Sequence, residues 1–264
     1  MLRRGRRSKP SSKRRSLCEV KSDAQAGSTE HSTMLTESSW EQTLRSAWES
    51  VRDRVELRHD LEFSHEHTLQ FHFAWEVGRL LAYSQSFQVR FEVYCGEDTH
   101  EESIRVDLIL WTDPTFKIVV EMKAPIRSES GMNSAMTYGR MAFYRDIDRL
   151  RHLVERDRDG IQRGMFLAVV NERGYVVRGR QTVNEPYATY DGTRLQSSVI
   201  VPACPGSNGC EYPLTMPANA IVWRWPSESR DGRIVPSRGM RHFWLEPIAV
   251  YARANRGVTP TGGA

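Results

Sequence analysis

The stretch "RVDLILWTDPTFKIVVEMKAP", residues 105 to 125, constrains the fold more than any other part of this chain. Two runs of Val, Ile and Leu flank the turn former Pro114, so the segment reads as two buried strands joined by a tight turn. Asp107, Glu121 and Lys123 interrupt those apolar runs. In an antiparallel hairpin turning around Pro114, Asp107 falls opposite Glu121 and Arg105 opposite Lys123. Side chains alternate along a strand, so Asp107, Glu121 and Lys123 leave one face of the sheet, with Ile109 and Val119 deeper on that face. Two directly opposed carboxylates repel and weaken the sheet unless a cation lies between them. A hard divalent ion meets that need. Mg²⁺, for which Mn²⁺ substitutes, takes a few carboxylate or carbonyl oxygens and keeps several waters. Lys123 on the same face would then orient a water or offset developing negative charge, a set suited to phosphodiester hydrolysis. The alternative is a group of strand-end salt-bridge residues.

Lysine usage adds to this. Lys9, Lys13, Lys21, Lys117 and Lys123 are all the lysines in a chain otherwise rich in arginine, and Lys123 lies within an apolar strand. That placement agrees with a role for a compact ammonium in place of a guanidinium fork.

The flanking pattern gives an element order. Trp40, Leu44, Ala47, Trp48, Val51 and Val55 recur at helical spacing and predict an amphipathic helix over 38–58. A second helix is expected from a Ser64 cap to about Tyr83, with Leu69, Phe73, Val77 and Leu80 on its apolar stripe and Glu66 on the same stripe; Glu76 points elsewhere. Strands follow at "FQVRFEVYCG", "SIRVDLILWT" and "FKIVVEMKA". Then come a helix over 134–157 with Met136, Phe143, Ile147, Leu150 and Val154 on one face, and a strand at "GMFLAVVN". The class is α/β, or α+β: a central mixed β-sheet flanked by helices.

The pair "VDLIL" and "VVEMK", the preceding helix with Glu66, and the following helix and strand resemble the PD-(D/E)XK nuclease superfamily, the restriction-endonuclease-like fold, over about residues 60–172. The resemblance implies a Mg²⁺-dependent nuclease, most readily an endodeoxyribonuclease of a restriction, defence, repair or mobile-element context. It implies that Asp107 and Glu121 ligate the metal with the Met122 carbonyl, that Lys123 acts on the nucleophilic water, and that Glu66 matches the helix glutamate of the family. A Val in place of the motif's Pro precedes Asp107. Nucleic acid, DNA first, is the implied partner, and a homodimer would cut both strands, although no segment reads as a dimer face. The rival readings are a catalytically inactive nuclease-fold module that binds nucleic acid or protein, and an RNA-processing endonuclease.

The remaining features set bounds. No apolar run approaches a membrane span and no apolar segment follows the Arg-rich start, so neither a membrane helix nor a secretory signal is expected. Cys18, Cys95, Cys204 and Cys210 are too few and scattered for a disulfide framework, which fits a cytoplasmic setting. Residues 1–35 form a basic tail expected to be disordered, with a natural start at Met34 as one alternative to Met1 and a nucleic-acid arm as one role. The core is expected over 36–172, a β-rich C-terminal elaboration of the same domain over 173–254, and a disordered tail over 255–264. Strand candidates in that elaboration are "SSVIVPA", "NAIVWRWP" and "RHFWLEPIAVYA". Arg140, Tyr144 and Arg151, beside the apolar stripe of the long helix, are candidate DNA contacts. Trp223 and Trp225 are either base-stacking or core residues, and His65, His67 and the Cys204/Cys210 pair match no complete zinc signature.

Overall fold

The hairpin around Pro114 forms and organises a six-stranded sheet. In the computed structural model, the described residues are 35–62, 65–82, 86–95, 104–126, 136–156, 158–178, 187–203 and 211–252. The strands of the sheet are β1 (Gln88–Tyr94), β2 (Arg105–Asp113), β3 (Phe116–Lys123) and β4 (Ile161–Val170). Short strands β5 (Arg194–Leu195), β6 (Ile200–Val201), β7 (Leu214–Thr215) and β8 (Ile221–Val222) pair among themselves. They are followed by a hairpin of β9 (Ser227–Arg230) and β10 (Arg233–Pro236), then by β11 (Phe243–Trp244) and β12 (Ile248–Tyr251). The sheet order is β1-β2-β3-β4-β11, with β12 also on β4. All its pairs are antiparallel except β3 with β4, which the helix α3 (Met136–Arg156) connects as a parallel crossover.

The β2–β3 register is the one the sequence predicts: Leu108↔Val120, Ile109↔Val119, Leu110↔Ile118 and Trp111↔Lys117. At the turn, Asp113 accepts hydrogen bonds from the Thr115 amide at 2.8 Å and its hydroxyl at 2.7 Å, an Asx-type turn that seats Pro114. The alternation sorts the two cores. Leu108, Leu110, Ile118, Val120 and Met122 pack with the helices α1 (Trp40–Asp53) and α2 (Glu66–Leu80), whereas Ile109 and Val119 pack under α3 and the C-terminal strands.

The helix expected over 38–58 is α1 followed by a π-helical turn, Arg54–Arg58, closed by His59 at φ 54°. All six of its predicted apolar positions are buried. The wider turn brings Glu56 under cover beside Val55. There Glu56 accepts from the Arg241 amide at 2.7 Å and the Trp244 indole N–H at 2.9 Å, and pairs with His242 Nδ1 at 2.5 Å. Burial pushes its carboxyl up, but the bonds to His242, Arg241 and Trp244 outweigh that and hold it below the usual range. In α2, Leu69, Phe73 and Val77 are buried as expected and His65 is the cap residue; Ser64 lies outside the described residues. Glu76, off the stripe, is also buried, held by Arg54 at 2.9 Å, Arg79 at 2.7 Å and Ser50 at 3.0 Å.

In the C-terminal part, Trp223 and Trp225 are core residues: Trp223 stacks near Phe143 at 6.1 Å and Tyr144 at 5.6 Å, and neither ring faces solvent. The β9–β10 hairpin is absent from the sequence reading, although Asp231-Gly232 between two short runs is a hairpin signal. The N-terminal and C-terminal tails, with Cys18, Cys204 and Cys210, lie outside the described residues. No helix among the described residues is long and apolar enough to cross a membrane.

Glu56→Ala removes the carboxylate that the buried Trp244 N–H, the His242 ring and the Arg241 amide bond to. It should lower unfolding free energy by about 3 kcal/mol, read from denaturant midpoints at an unchanged m value.

Candidate active site

The C-terminal ends of β3 and β4 and the start of β2 bring one set of charges together. Asp107 is 8 % exposed and Glu121 1 % exposed, both on the face that carries Ile109 and Val119. Beyond Leu108 the backbone ladder with β3 gives way to a side-chain bond: the Met122 amide donates to Asp107 Oδ2 at 2.5 Å. The expected pairing of Arg105 with Lys123 is not made, because β2 has left β3 by that point and Arg105 pairs with Tyr94 of β1.

Lys123 ends β3 and reaches into both helical layers. Its Nζ lies 3.4 Å from Glu66 Oε1 at the start of α2 and 3.0 Å from Asp146 Oδ2 on α3, and it donates to the Met122 carbonyl at 3.2 Å. Glu66 Oε2 accepts from the Ala124 amide at 3.1 Å, so one carboxylate fixes both the lysine and the chain leaving the strand. Glu66 therefore lies with the other three sequence candidates, as the helical stripe requires. Burial pushes the Lys123 ammonium down, but Asp146, Glu66, Asp107 and Glu121 together outweigh it, so the lysine stays protonated well above its ordinary range.

Asp146 and Arg149 are the members that sequence reasoning missed. Arg149 Nη1 donates to Glu121 Oε1 at 3.1 Å and to Asp146 Oδ1 at 3.2 Å. Their signal was positional: Asp146 stands about 60° from Phe143 on the helix wheel, an acid at the margin of an apolar stripe. Among the described residues, Glu66, Asp107, Glu121 and Asp146 stand against Lys123 and Arg149, four acids to two cations, an excess of two negative charges when all are ionised. The carboxyls register that excess. Burial, with help from Glu66 and Asp146, raises Asp107 to about 6 against the pull of Lys123 and the Met122 amide. Burial first, then Asp146 and Asp107, push Glu121 well above its ordinary value despite Arg149 and Lys123.

Among the described residues, no three His, Cys, Asp or Glu side chains converge as a ready metal cage. The donors present are the Asp107 and Glu121 carboxylates and the Met122 carbonyl. Such a set fits a hard cation that takes few protein oxygens and keeps several waters, and the excess negative charge on this face is what such a cation relieves. It does not fit a four-ligand zinc centre. His67 instead contacts Gln70 and Glu92 at the surface.

The three candidate DNA contacts on the long helix are corrected by burial. Arg140 is 3 % exposed, lies over the Tyr190 ring at 4.7 Å, and donates to the Tyr190 hydroxyl and the Gly174 carbonyl. Tyr144 is fully buried and donates to the Ala188 carbonyl at 2.6 Å. Arg151 is held by Asp148 at 2.9 Å, Glu155 at 2.5 Å and the Thr215 carbonyl at 3.0 Å. Gly174, Ala188, Tyr190 and Thr215 cover this side of α3, which a helix wheel alone reads as solvated.

Comparison with protein-family models, with curated proteins and with solved structures gives no match.

Since the folded-state value of Asp107 lies above its ordinary 3.8, the fold favours the protonated carboxyl. Its stabilising contribution is complete below about pH 4 and is lost as pH rises through about 6. In EDTA, Asp107→Asn should therefore melt no higher than the wild type near pH 4. It should gain on the order of 1–2 kcal/mol relative to it by about pH 7.5. A purely structural ion pair reverses the sign at about pH 7.5, so paired melts at the two pH values distinguish the readings.

Proposed function

We propose that this protein is a metal-dependent nuclease with a restriction-endonuclease-like core that hydrolyses phosphodiester bonds, DNA being the first substrate to test. The observation that carries the reading is the convergence of Asp107 and Glu121 on one sheet face with Lys123, which Glu66 and Asp146 hold at the end of the same hairpin.

Asp107, Glu121 and the Met122 carbonyl would hold Mg²⁺ or Mn²⁺. When bound, such an ion polarises a phosphoryl group and makes water more acidic. Lys123 keeps its proton, so it works as a donor and a charge and not as a base. It orients the attacking water and offsets negative charge growing on the phosphoryl oxygens. Both oxygens of Glu66 are taken up by Lys123 and the Ala124 amide, which makes Glu66 a positioning residue. Arg149 holds Glu121 in the orientation it needs and limits its repulsion with Asp107.

One observation favours a second reading, a catalytically silent module of the same fold. Arg149 already neutralises Glu121 from within the chain, as a structural network would. Incubation of the protein with plasmid, linear duplex, single-stranded DNA and RNA, each with Mg²⁺ or EDTA, separates the two and also tests an RNA-processing enzyme.

Glu121→Ala and Lys123→Ala should each lower metal-dependent cleavage by about 10²–10⁴-fold while keeping a cooperative melt. Wild-type cleavage by either variant would remove the catalytic assignment. Independently of cleavage, millimolar Mg²⁺ or Mn²⁺ should raise the wild-type melting temperature by mass action, and Asp107→Asn should lose most of that gain.

A further inference from the structure

We propose that the β9–β10 hairpin and the Ser237–Arg241 segment behind it are the surface that grips the nucleic-acid backbone, with Arg230, Arg233 and Arg238 contacting phosphates. The inference rests on the nuclease reading for its substrate class, and takes the place that Arg140, Tyr144 and Arg151 cannot fill.

The hairpin is built in a way that folding alone does not favour. Asp231 at φ 50° and Gly232 at φ 72° make the two-residue turn. That turn sets Arg230 directly opposite Arg233 in the ladder. Like charges facing each other across an antiparallel pair destabilise it. Arg230 has a partial counterion in Glu228 at 2.5 Å, whereas Arg233 is exposed with no partner among the described residues. The Arg230 guanidinium lies against Gly239, 4.0 Å from where a Cβ would stand there, so it adjoins Arg238. Arg238 is exposed and likewise unpartnered among the described residues, and it holds a left-handed backbone at φ 57° where a glycine or asparagine is the usual occupant. Three exposed arginines thus belong to one stretch of chain, two of them opposite each other in the ladder and the third next to the glycine that the Arg230 guanidinium approaches. An anionic ligand would relieve their repulsion, and a row of phosphates supplies that charge over the same span.

The end of the sheet from which this segment enters β11 follows from the register. Lys123 pairs with Ala168, and Phe243 pairs with Val170 on the other side of β4. Since β11 runs antiparallel to β4, the residues just before Phe243 leave the sheet at the end where Lys123 stands. Two strand spacings and two residues put Phe243 about 12 Å from Lys123 in the sheet. Ile234 of β10 packs on the same core as Ile109 and Val119, the face that carries Asp107 and Glu121. Glu56 then fixes the segment: it accepts the Arg241 amide and holds His242 and Trp244, so that stretch of chain stands on a rigid base.

The test is binding of a fluorescein-labelled DNA duplex to the full-length protein in EDTA, where no cleavage occurs, by anisotropy across about 50–200 mM salt. Arg233→Ala/Arg238→Ala should bind roughly tenfold more weakly at the low-salt end and reduce the log–log salt slope by about 2, with a melting temperature no lower than that of the wild type. Arg233→Lys/Arg238→Lys should restore the slope. Lys117→Ala/Arg163→Ala, which removes two cations from the opposite end of the sheet, should leave it unchanged. With Mg²⁺ present, the alanine double variant should raise KM and leave kcat near the wild-type value. An affinity and slope equal to the wild type, or a wild type that binds no duplex, would overturn the inference. Wild-type binding that depends on these arginines without any metal-dependent cleavage would keep the inference and remove the catalytic reading instead.

Discussion

The register of β2 against β3 is the constraint on which the rest of the molecule depends. With Leu108 opposite Val120 and Ile109 opposite Val119, each apolar side chain has a defined face, and a slip of one residue would turn both cores inside out. The same register forces Asp107 and Glu121 onto one face where burial makes them costly. Asp107 takes the Met122 amide at the point where the ladder with β3 ends, so a polar side chain completes the pairing that the backbone abandons. The sheet thus carries this buried carboxylate where β2 parts from β3.

Lys123 joins what the sheet separates. Its ammonium meets Glu66 from α2, which belongs to one layer, and Asp146 from α3, which belongs to the other. The lysine is the longest-reaching compact cation available, and an arginine fork there would have to match two carboxylates in different planes. Arg149 completes the arrangement by facing Glu121 and Asp146 at once. Even so, acids outnumber cations in this group among the described residues, and burial beside the other carboxylates pushes Asp107 and Glu121 up toward the protonated form.

Much of this was legible in the sequence, and for a physical reason: periodicity reports burial. The stripe of α1, the placement of Glu66 and the common face of Asp107, Glu121 and Lys123 all follow from spacing of 3.6 or 2 residues. Failures occurred where burial comes from distant chain. Arg140, Tyr144 and Arg151 look solvated on a wheel, but Tyr190, Ala188 and Thr215 meet them. Asp146 and Arg149 likewise take their meaning from β3, which a single helix cannot reveal. Glu56 was hidden by a π-helical turn, whose extra residue shifts the wheel, and the β9–β10 hairpin by strands of four residues with little apolar alternation.

The cost of the charged face has a structural counterpart one helical turn away. Within α3, Phe143 and Tyr144 enter an aromatic cluster with Phe166, Tyr175 and Trp223, while Asp146 and Arg149 project toward the hairpin. Aromatic contacts of this kind contribute about 0.5–1.5 kcal/mol each beyond their buried area. The helix that supplies Asp146 and Arg149 is therefore held by aromatic packing that reaches past β4 to Tyr175 and Trp223. Because Phe143 and Asp146 are three residues apart on one rigid helix, any change that lets the ring settle differently also moves the carboxylate that Lys123 leans on. The C-terminal strands act on this group of charges from a distance: they help set the position of α3, and Asp146 of α3 meets the lysine.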